Sequence, residues 1–328
     1  MIEIEGFSAN GKKIISVVIS AYNEELGVHE LARQLKAAFE RTPAYEFEVI
    51  LVENGSTDRT LEKMLEVHRE DPRFKILRLS RNFKMDGGVT AGLSYARGDA
   101  AVIMTANLQD TPDTIPRFIE KWEQGYENVF GIVKSRPGKG FMRRINSRIF
   151  YYLLGKLTGN LIPRNVSDFR LIDKKVYRTI NSMDERNRFL RGMFAWVGFK
   201  SIGVEFERGK RYAGQSHAHF FGILGMAIRA IFSFSYIPIR FIAGLGFLFA
   251  AVSMVYLLYS MVTFFVKGVP FPGFGTLVSL FLFMFGLVFL MMGVIGQYVA
   301  QIYEEVKSRP NFIVTDAIGF VPPISFPG

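Results

Sequence analysis

Four short polar clusters in this chain begin where an apolar run stops: AYNEE at 21–25, VENGSTD at 52–58, LSRNFKMDGG at 79–88 and TANLQD at 105–110. Their carboxylates, amides and hydroxyls are the groups that hold a polar ligand, yet each is ambiguous alone. Gly55 suits a tight turn, and Ser56, Thr57 or Asp58 can cap the helix that follows, as Asn23 can in the first cluster. A fifth cluster, SDFRLID at 167–173, contains Asp168, the first acid after a long gap. Between Glu127 and Asp168 there is no Asp or Glu, while eight cations occur: Lys134, Arg136, Lys139, Arg143, Arg144, Arg148, Lys156 and Arg164. Phe141, Met142, Ile145, Ile149, Phe150 and Leu153 interleave with them, which makes a basic amphipathic segment suited to an anionic membrane surface. Arg143, Arg144 and Arg148 are the best phosphate clamps there, because a guanidinium can hold two phosphate oxygens at once. His217 and His219 form a lone HxH pair, and two nitrogens are a poor site for the hard cations that phosphates bring with them.

The elements that would position these clusters are legible as a βαβα rhythm. The apolar runs IISVVIS, FEVILV, FKILRL and AAVIM read as strands. Between them, Leu31, Leu35 and Phe39, then Leu61, Met64 and Val67, then Val89, Leu93 and Ala96, each describe one buried helix face. This pattern predicts a mostly parallel α/β sheet with helices on both faces, and ligands in such sheets sit outside the carboxyl ends of the strands. All four of the first clusters fall there.

The chain has 328 residues, enough for one α/β domain and a membrane appendix, and so for one active site. It has no cysteine, which excludes disulfides, thiolate nucleophiles and cysteine-bound zinc. The net charge is +10, and all of that excess lies in residues 1–240, since the remaining residues hold three acids and three basic residues. A basic soluble part joined to an apolar tail points to phosphates or lipid headgroups and away from nucleic acid. Two uncharged stretches predict transmembrane helices at about 241–265 and about 277–298, joined by KGVPFPGFGT. Arg229 and Arg240 precede them and Lys307 and Arg309 follow, which places both termini in the cytoplasm. The opening MIEIEGFSANGKK lacks the apolar core of a signal peptide. The expected organisation is a cytosolic domain at 1–215, an interfacial amphipathic helix at 216–237, a two-helix hairpin at 238–303 and a cytosolic tail at 304–328.

Taken together, VVISAYNEE, VENGSTDRT, LSRNF with its glycine-rich helix start, and TANLQDTPD resemble the family 2 glycosyltransferases of GT-A fold. RRINSRIFYYLLGKLTG, IPRNVSDFRLID, RFLRGMFAWVGF and the apolar hairpin are similar to one branch, the polyprenyl-phosphate glycosyltransferases. The resemblance implies inverting transfer of a sugar from a nucleotide-sugar such as UDP-glucose to polyprenyl phosphate at the cytoplasmic membrane face. It implies that Tyr22, Glu24, Glu53, Asn54, Ser56 and Asn107 hold the donor and that Asp168 is the catalytic carboxylate. Arg143, Arg144, Arg148, Arg170 and His217 would meet the lipid phosphate. The fourth motif usually reads DADLQ and binds Mg²⁺ or Mn²⁺; here Thr105 and Asn107 replace its aspartates, leaving Asn107, Gln109 and Asp110 as oxygen ligands. The expected partners are the donor, the polyprenyl phosphate and membrane lipids, with a homo-oligomer left open. The competing reading is a catalytically weakened paralogue that binds lipid phosphate or nucleotide-sugar without turnover. A processive polysaccharide synthase is disfavoured, since QxxRW is missing and one hairpin is too little to enclose a polymer.

Overall fold

The structure, a computed structural model, describes residues 11–134, 166–209 and 274–320, with single helical positions between Ile242 and Val266. The four apolar runs are the strands β1 (Ile14–Ala21), β2 (Glu46–Glu53), β3 (Phe74–Leu79) and β4 (Ala100–Thr105). Helices α1 (Val28–Glu40), α2 (Thr60–Glu70) and α3 (Lys84–Tyr95) alternate with them. Leu31, Leu35, Phe39, Met64, Val67, Val89 and Leu93 are buried as their spacing requires, and Leu61 and Ala96 pack at the margins. After a short turn come α4 (Ile115–Glu123), β5 (Asn128–Val133), β6 (Val166–Asp173), α5 (Lys174–Asn181), α6 (Leu190–Trp196) and β7 (Ser201–Phe206).

The sheet has eight strands in the order β7-β5-β6-β4-β1-β2-β3-β8, where β8 is Val314–Ile318. It is mixed, as in a GT-A fold, and less uniformly parallel than the sequence suggests. β1, β2, β3 and β4 pair in parallel, as do β5 and β7, but β6 runs antiparallel to both β4 and β5, and β8 antiparallel to β3. β6, antiparallel inside the sheet, is buried along residues 169–172 and so gives no alternation distinct from a parallel strand buried on both faces. One core lies between the sheet and α1, α2 and α4, and includes Phe118, Phe169 and Phe206. The other lies beneath α3, α5 and α6. Helices cover both faces, as expected.

The apolar region appears as α7 (Phe274–Val306), 33 residues long. At 1.5 Å per residue it spans about 50 Å, more than the roughly 30 Å of a bilayer core. Among the described residues α7 is the one helix long and apolar enough to cross a membrane. The described positions from Leu248 to Val266 are helical and exposed. Beyond α7 the chain returns to the sheet as β8, with Arg78 opposite Asp316 and Leu77 opposite Ala317. Phe312, Val314 and Phe320 pack on the α3 side of the sheet, and Phe320 meets Tyr95 edge to face at 5.1 Å.

Candidate active site

Because β1 lies between β2 and β4 in parallel register, the loops after these strands emerge side by side. The first two are stitched together. Ser56 Oγ accepts the Asn23 amide at 3.2 Å, and Asn23 Oδ1 accepts the Thr57 amide at 2.8 Å. Thr60 Oγ1 accepts the Glu24 amide at 2.9 Å. Asn23 takes a positive φ of 53°, which asparagine tolerates in a tight turn. Glu53 is buried and its carboxylate accepts the Ser56 amide, so it closes its own turn. Asn54 is 2% exposed: its amide donates to Ser20 Oγ at 3.3 Å and to the Lys84 carbonyl at 2.8 Å, and its Oδ1 accepts from the Phe83 amide at 2.9 Å. Asn54 therefore fastens the second loop to the start of α3. Gly55, at φ 70°, packs on the backbone of Arg81 and Asn82, where an added Cβ would lie 2.4 Å from the Arg81 carbonyl carbon. Tyr22 and Glu24 follow β1 in the same loop and are partly exposed.

The fourth loop turns back on itself. The Thr105 hydroxyl donates to Asp110 Oδ2 at 2.6 Å, Asn107 Oδ1 accepts the Gln109 amide at 3.0 Å, and the Asn107 amide donates to Gln109 Oε1 at 3.3 Å. Leu108, at φ 58°, makes the reversal. Asp110 is 0% exposed, and Ser167 Oγ donates to its other oxygen at 3.4 Å. Burial pushes the Asp110 carboxyl above its ordinary value; the Thr105 hydrogen bond and the charge of Arg208 oppose the shift, and Asp168 reinforces it. Asn107, Gln109 and Asp110 are all oxygen donors, the chemistry that Mg²⁺ or Mn²⁺ takes. Because Asp110 is turned inward, the partly exposed side-chain oxygens of this donor set are the amide carbonyls of Asn107 and Gln109. Among the described residues no three His, Asp or Glu converge on a metal position.

Asp168 sits near the start of β6, one residue beyond the Ser167 that touches Asp110. Asp168 and Arg170 share a face of the strand because side chains alternate along it. Arg191, in the first turn of α6, spans the Asp168 carboxylate: Nη2 lies 2.8 Å from each oxygen and Nε 3.0 Å from Oδ1. Arg170 is 3% exposed, its guanidinium 4.3 Å over the Phe194 ring, and burial pulls its pKa down to about 10 against the opposing charge of Asp168. It stays charged at neutrality. Asp168, Arg170, Arg191 and Phe194 line a cavity of about 80 Å³ with Met85 and Asp86 from the start of α3. Asp168 thus adjoins both the helix that Asn54 anchors and the loop that Asp110 closes.

Arg191 and Arg208 escaped the sequence reading. Arg191 was visible only as a cation in RFLRG, with nothing local to pair it with an acid 23 residues earlier. Arg208 follows β7, and the next residue, Gly209, donates its amide to the Gln109 carbonyl at 2.9 Å, which brings this segment over the fourth loop. Arg143, Arg144, Arg148 and His217 lie outside the described residues.

Residues 16–180 match glycosyl transferase family 2. The chain is 36% identical over 306 residues to the uncharacterized glycosyltransferase sll0501 of Synechocystis sp., covering 93% of this chain and 96% of that one. It is 37% identical over 304 residues to the uncharacterized glycosyltransferase YkcC of Bacillus subtilis, covering 93% and 94%. It is also 33% identical over 300 residues to the SfII prophage-derived bactoprenol glucosyl transferase of Shigella flexneri, covering 92% and 97%.

Proposed function

This chain belongs to glycosyl transferase family 2 and is a glycosyltransferase, and on that premise we propose that it carries a hexosyl group from a nucleotide-sugar such as UDP-glucose to undecaprenyl or a similar polyprenyl phosphate. An acceptor phosphate oxygen attacks the anomeric carbon, the bond from that carbon to the donor diphosphate breaks, and the configuration inverts. The nucleoside diphosphate departs with the bonding pair. The observation that carries this reading is the Asp168–Arg191 pair beside buried Arg170, at the junction of the donor loops and β6. Arg170 and Arg191 stand against Asp168 and Asp86 in the cavity lining, so the pocket is charge-balanced, and its two guanidinium groups are the forks that an acceptor phosphate would meet. A phosphate monoester has its second pKa near 6, so near pH 7 most of the acceptor is already the dianion. Asp168 takes the proton from the monoanion fraction and keeps the attacking oxygen oriented. The Glu53–Ser56 turn and the Asn23 and Glu24 loop present Tyr22, Glu24 and Ser56 to the nucleotide. Asn54 holds that turn against α3.

Asn107 and Gln109, with the donor's own phosphate oxygens, are the residues that would hold Mg²⁺ or Mn²⁺, which when bound offsets the charge growing on the leaving diphosphate. The anchor is a pair of helices, α7 and the helical stretch before it, with the sheet and both termini on the cytoplasmic side. Arg143, Arg144, Arg148 and His217 approach the membrane surface and meet the lipid phosphate. The competing reading, a paralogue that binds without turnover, draws on the inward burial of Asp110 and the replacement of acids by Thr105 and Asn107. Mass spectrometry of lipid products from purified protein, polyprenyl phosphate and a panel of nucleotide-sugars tests the proposal. A glycosyl phospholipid from one donor is expected, and no product from any donor refutes catalysis.

A further inference from the structure

The turn between α5 and α6 has a seat supplied from the far end of the chain. The backbone amides of Arg186 and Asn187 both donate to the carboxylate of Glu305, at 2.8 and 3.0 Å, one to each oxygen. Glu305 stands in the last turn of α7. Asn311, just past that helix, donates its side-chain amide to the Glu185 carbonyl at 3.1 Å. The Arg188 guanidinium folds back on the same turn, onto the carbonyls of Met183 and Glu185. Four residues beyond Asn187 comes Arg191, which spans the Asp168 carboxylate.

We propose that Glu305 is a positioning residue for sugar transfer: it fixes the 186–187 turn, and through α6 it sets where Arg191 holds Asp168. The inference rests on the reading of Asp168 as the catalytic carboxylate. A carboxylate that accepts two successive backbone amides uses both oxygens in charge-assisted bonds, so it fixes the orientation of the turn as well as its distance. The α6 helix is two turns long and Arg191 lies in the first, so a shift of the turn passes directly to the guanidinium. Catalytic geometry tolerates displacements of only about 0.5 Å. The membrane helix that would bring the lipid to the protein therefore also sets the residue that would receive the lipid's phosphate. A helix displaced in the bilayer would move Arg191 off Asp168, while the first two loops are bonded to each other.

The test uses the full chain in lipid nanodiscs, as Glu305→Ala, the milder Glu305→Gln, Arg191→Lys, and Glu305→Ala with Arg191→Lys. Amide hydrogen exchange at 186 and 187, kcat, and donor affinity are measured on each. Glu305→Ala is expected to deprotect the two amides and lower kcat about tenfold, with donor affinity within about twofold; Glu305→Gln, which keeps one acceptor oxygen, falls between. In the Arg191→Lys background the further loss should be under about twofold, because both residues act through one pair. Unchanged protection of the two amides overturns the inference whatever the activity does. So does an undiminished kcat, or a tenfold loss that multiplies in full with Arg191→Lys. A wild-type protein that transfers nothing to polyprenyl phosphate refutes the functional reading instead, and the exchange data then judge the seat alone.

Discussion

Asp168 keeps its shape and loses its charge in Asp168→Asn, which makes that variant the sharpest probe of the pocket. Transfer should fall at least about 100-fold, the range a positioned proton acceptor contributes, while calorimetry finds nucleotide-sugar affinity within about twofold. The Asp168–Arg191 pair is partly exposed on both sides, so the stability change should stay under about 1 kcal/mol. The fourth loop invites the opposite substitution. An ion held by Asn107 and Gln109 would draw on carbonyl dipoles and substrate oxygens without a protein charge, so its affinity would be low while its pull on the diphosphate would be undiminished. Asn107→Asp should therefore lower the Mg²⁺ or Mn²⁺ concentration for half-maximal activity, with a smaller change in the saturated rate. Full activity of the wild type in excess chelator would remove the metal from the mechanism, and a harmful Asn107→Asp without tighter metal binding would do the same.

Elements decide how well those residues are held, and here the loops depend on close backbone approach. Gly55 has φ 70°, and an alanine Cβ there would meet Arg81 and Asn82 backbone atoms at 2.4 and 2.5 Å. Gly55→Ala should cost roughly 2–3 kcal/mol through left-handed strain and displacement of the second loop. Thermal unfolding and donor titration together check it, and an unchanged melting temperature with unchanged donor affinity would contradict the packing argument. The same elements show what a sequence makes legible. β1 to β4 and the buried faces of α1 to α3 were readable because each is local: an apolar run, a polar loop, a period near 3.6. The loops after β1, β2 and β4 could be placed together since parallel strands of an α/β sheet put them at one edge. Asn54 was readable as a polar loop residue, but its burial against Ser20, Phe83 and Lys84 depends on α3 docking there. The Arg191–Asp168 and Glu305–Arg186 contacts were not readable, because they join residues 23 and 119 positions apart with no periodicity to announce them.

At the scale of the whole molecule, the chain's two ends share one sheet. A boundary drawn at residue 215 from hydropathy separates a polar domain from an apolar tail, yet β8 comes from beyond the tail and covers the edge of β3. An uncovered β3 edge would present free backbone groups to other chains. Truncation after Ser235 removes that strand along with α7 and the helical stretch before it, and with it the packing of Phe312, Val314, Ile318 and Phe320 on the sheet. Partial burial of four apolar side chains amounts to about 3 kcal/mol, a large share of the 5–15 kcal/mol typical of a domain. The truncated protein should therefore melt well below the full chain in detergent and aggregate through the bare edge. A second truncation that reattaches residues 310–320 by a flexible linker should recover most of the melting temperature while still lacking α7 and the helical stretch before it. If instead the first truncation is as stable as the full chain, β8 contributes little to the sheet. If the two truncations are equally unstable, the loss belongs to the apolar helices and not to the strand.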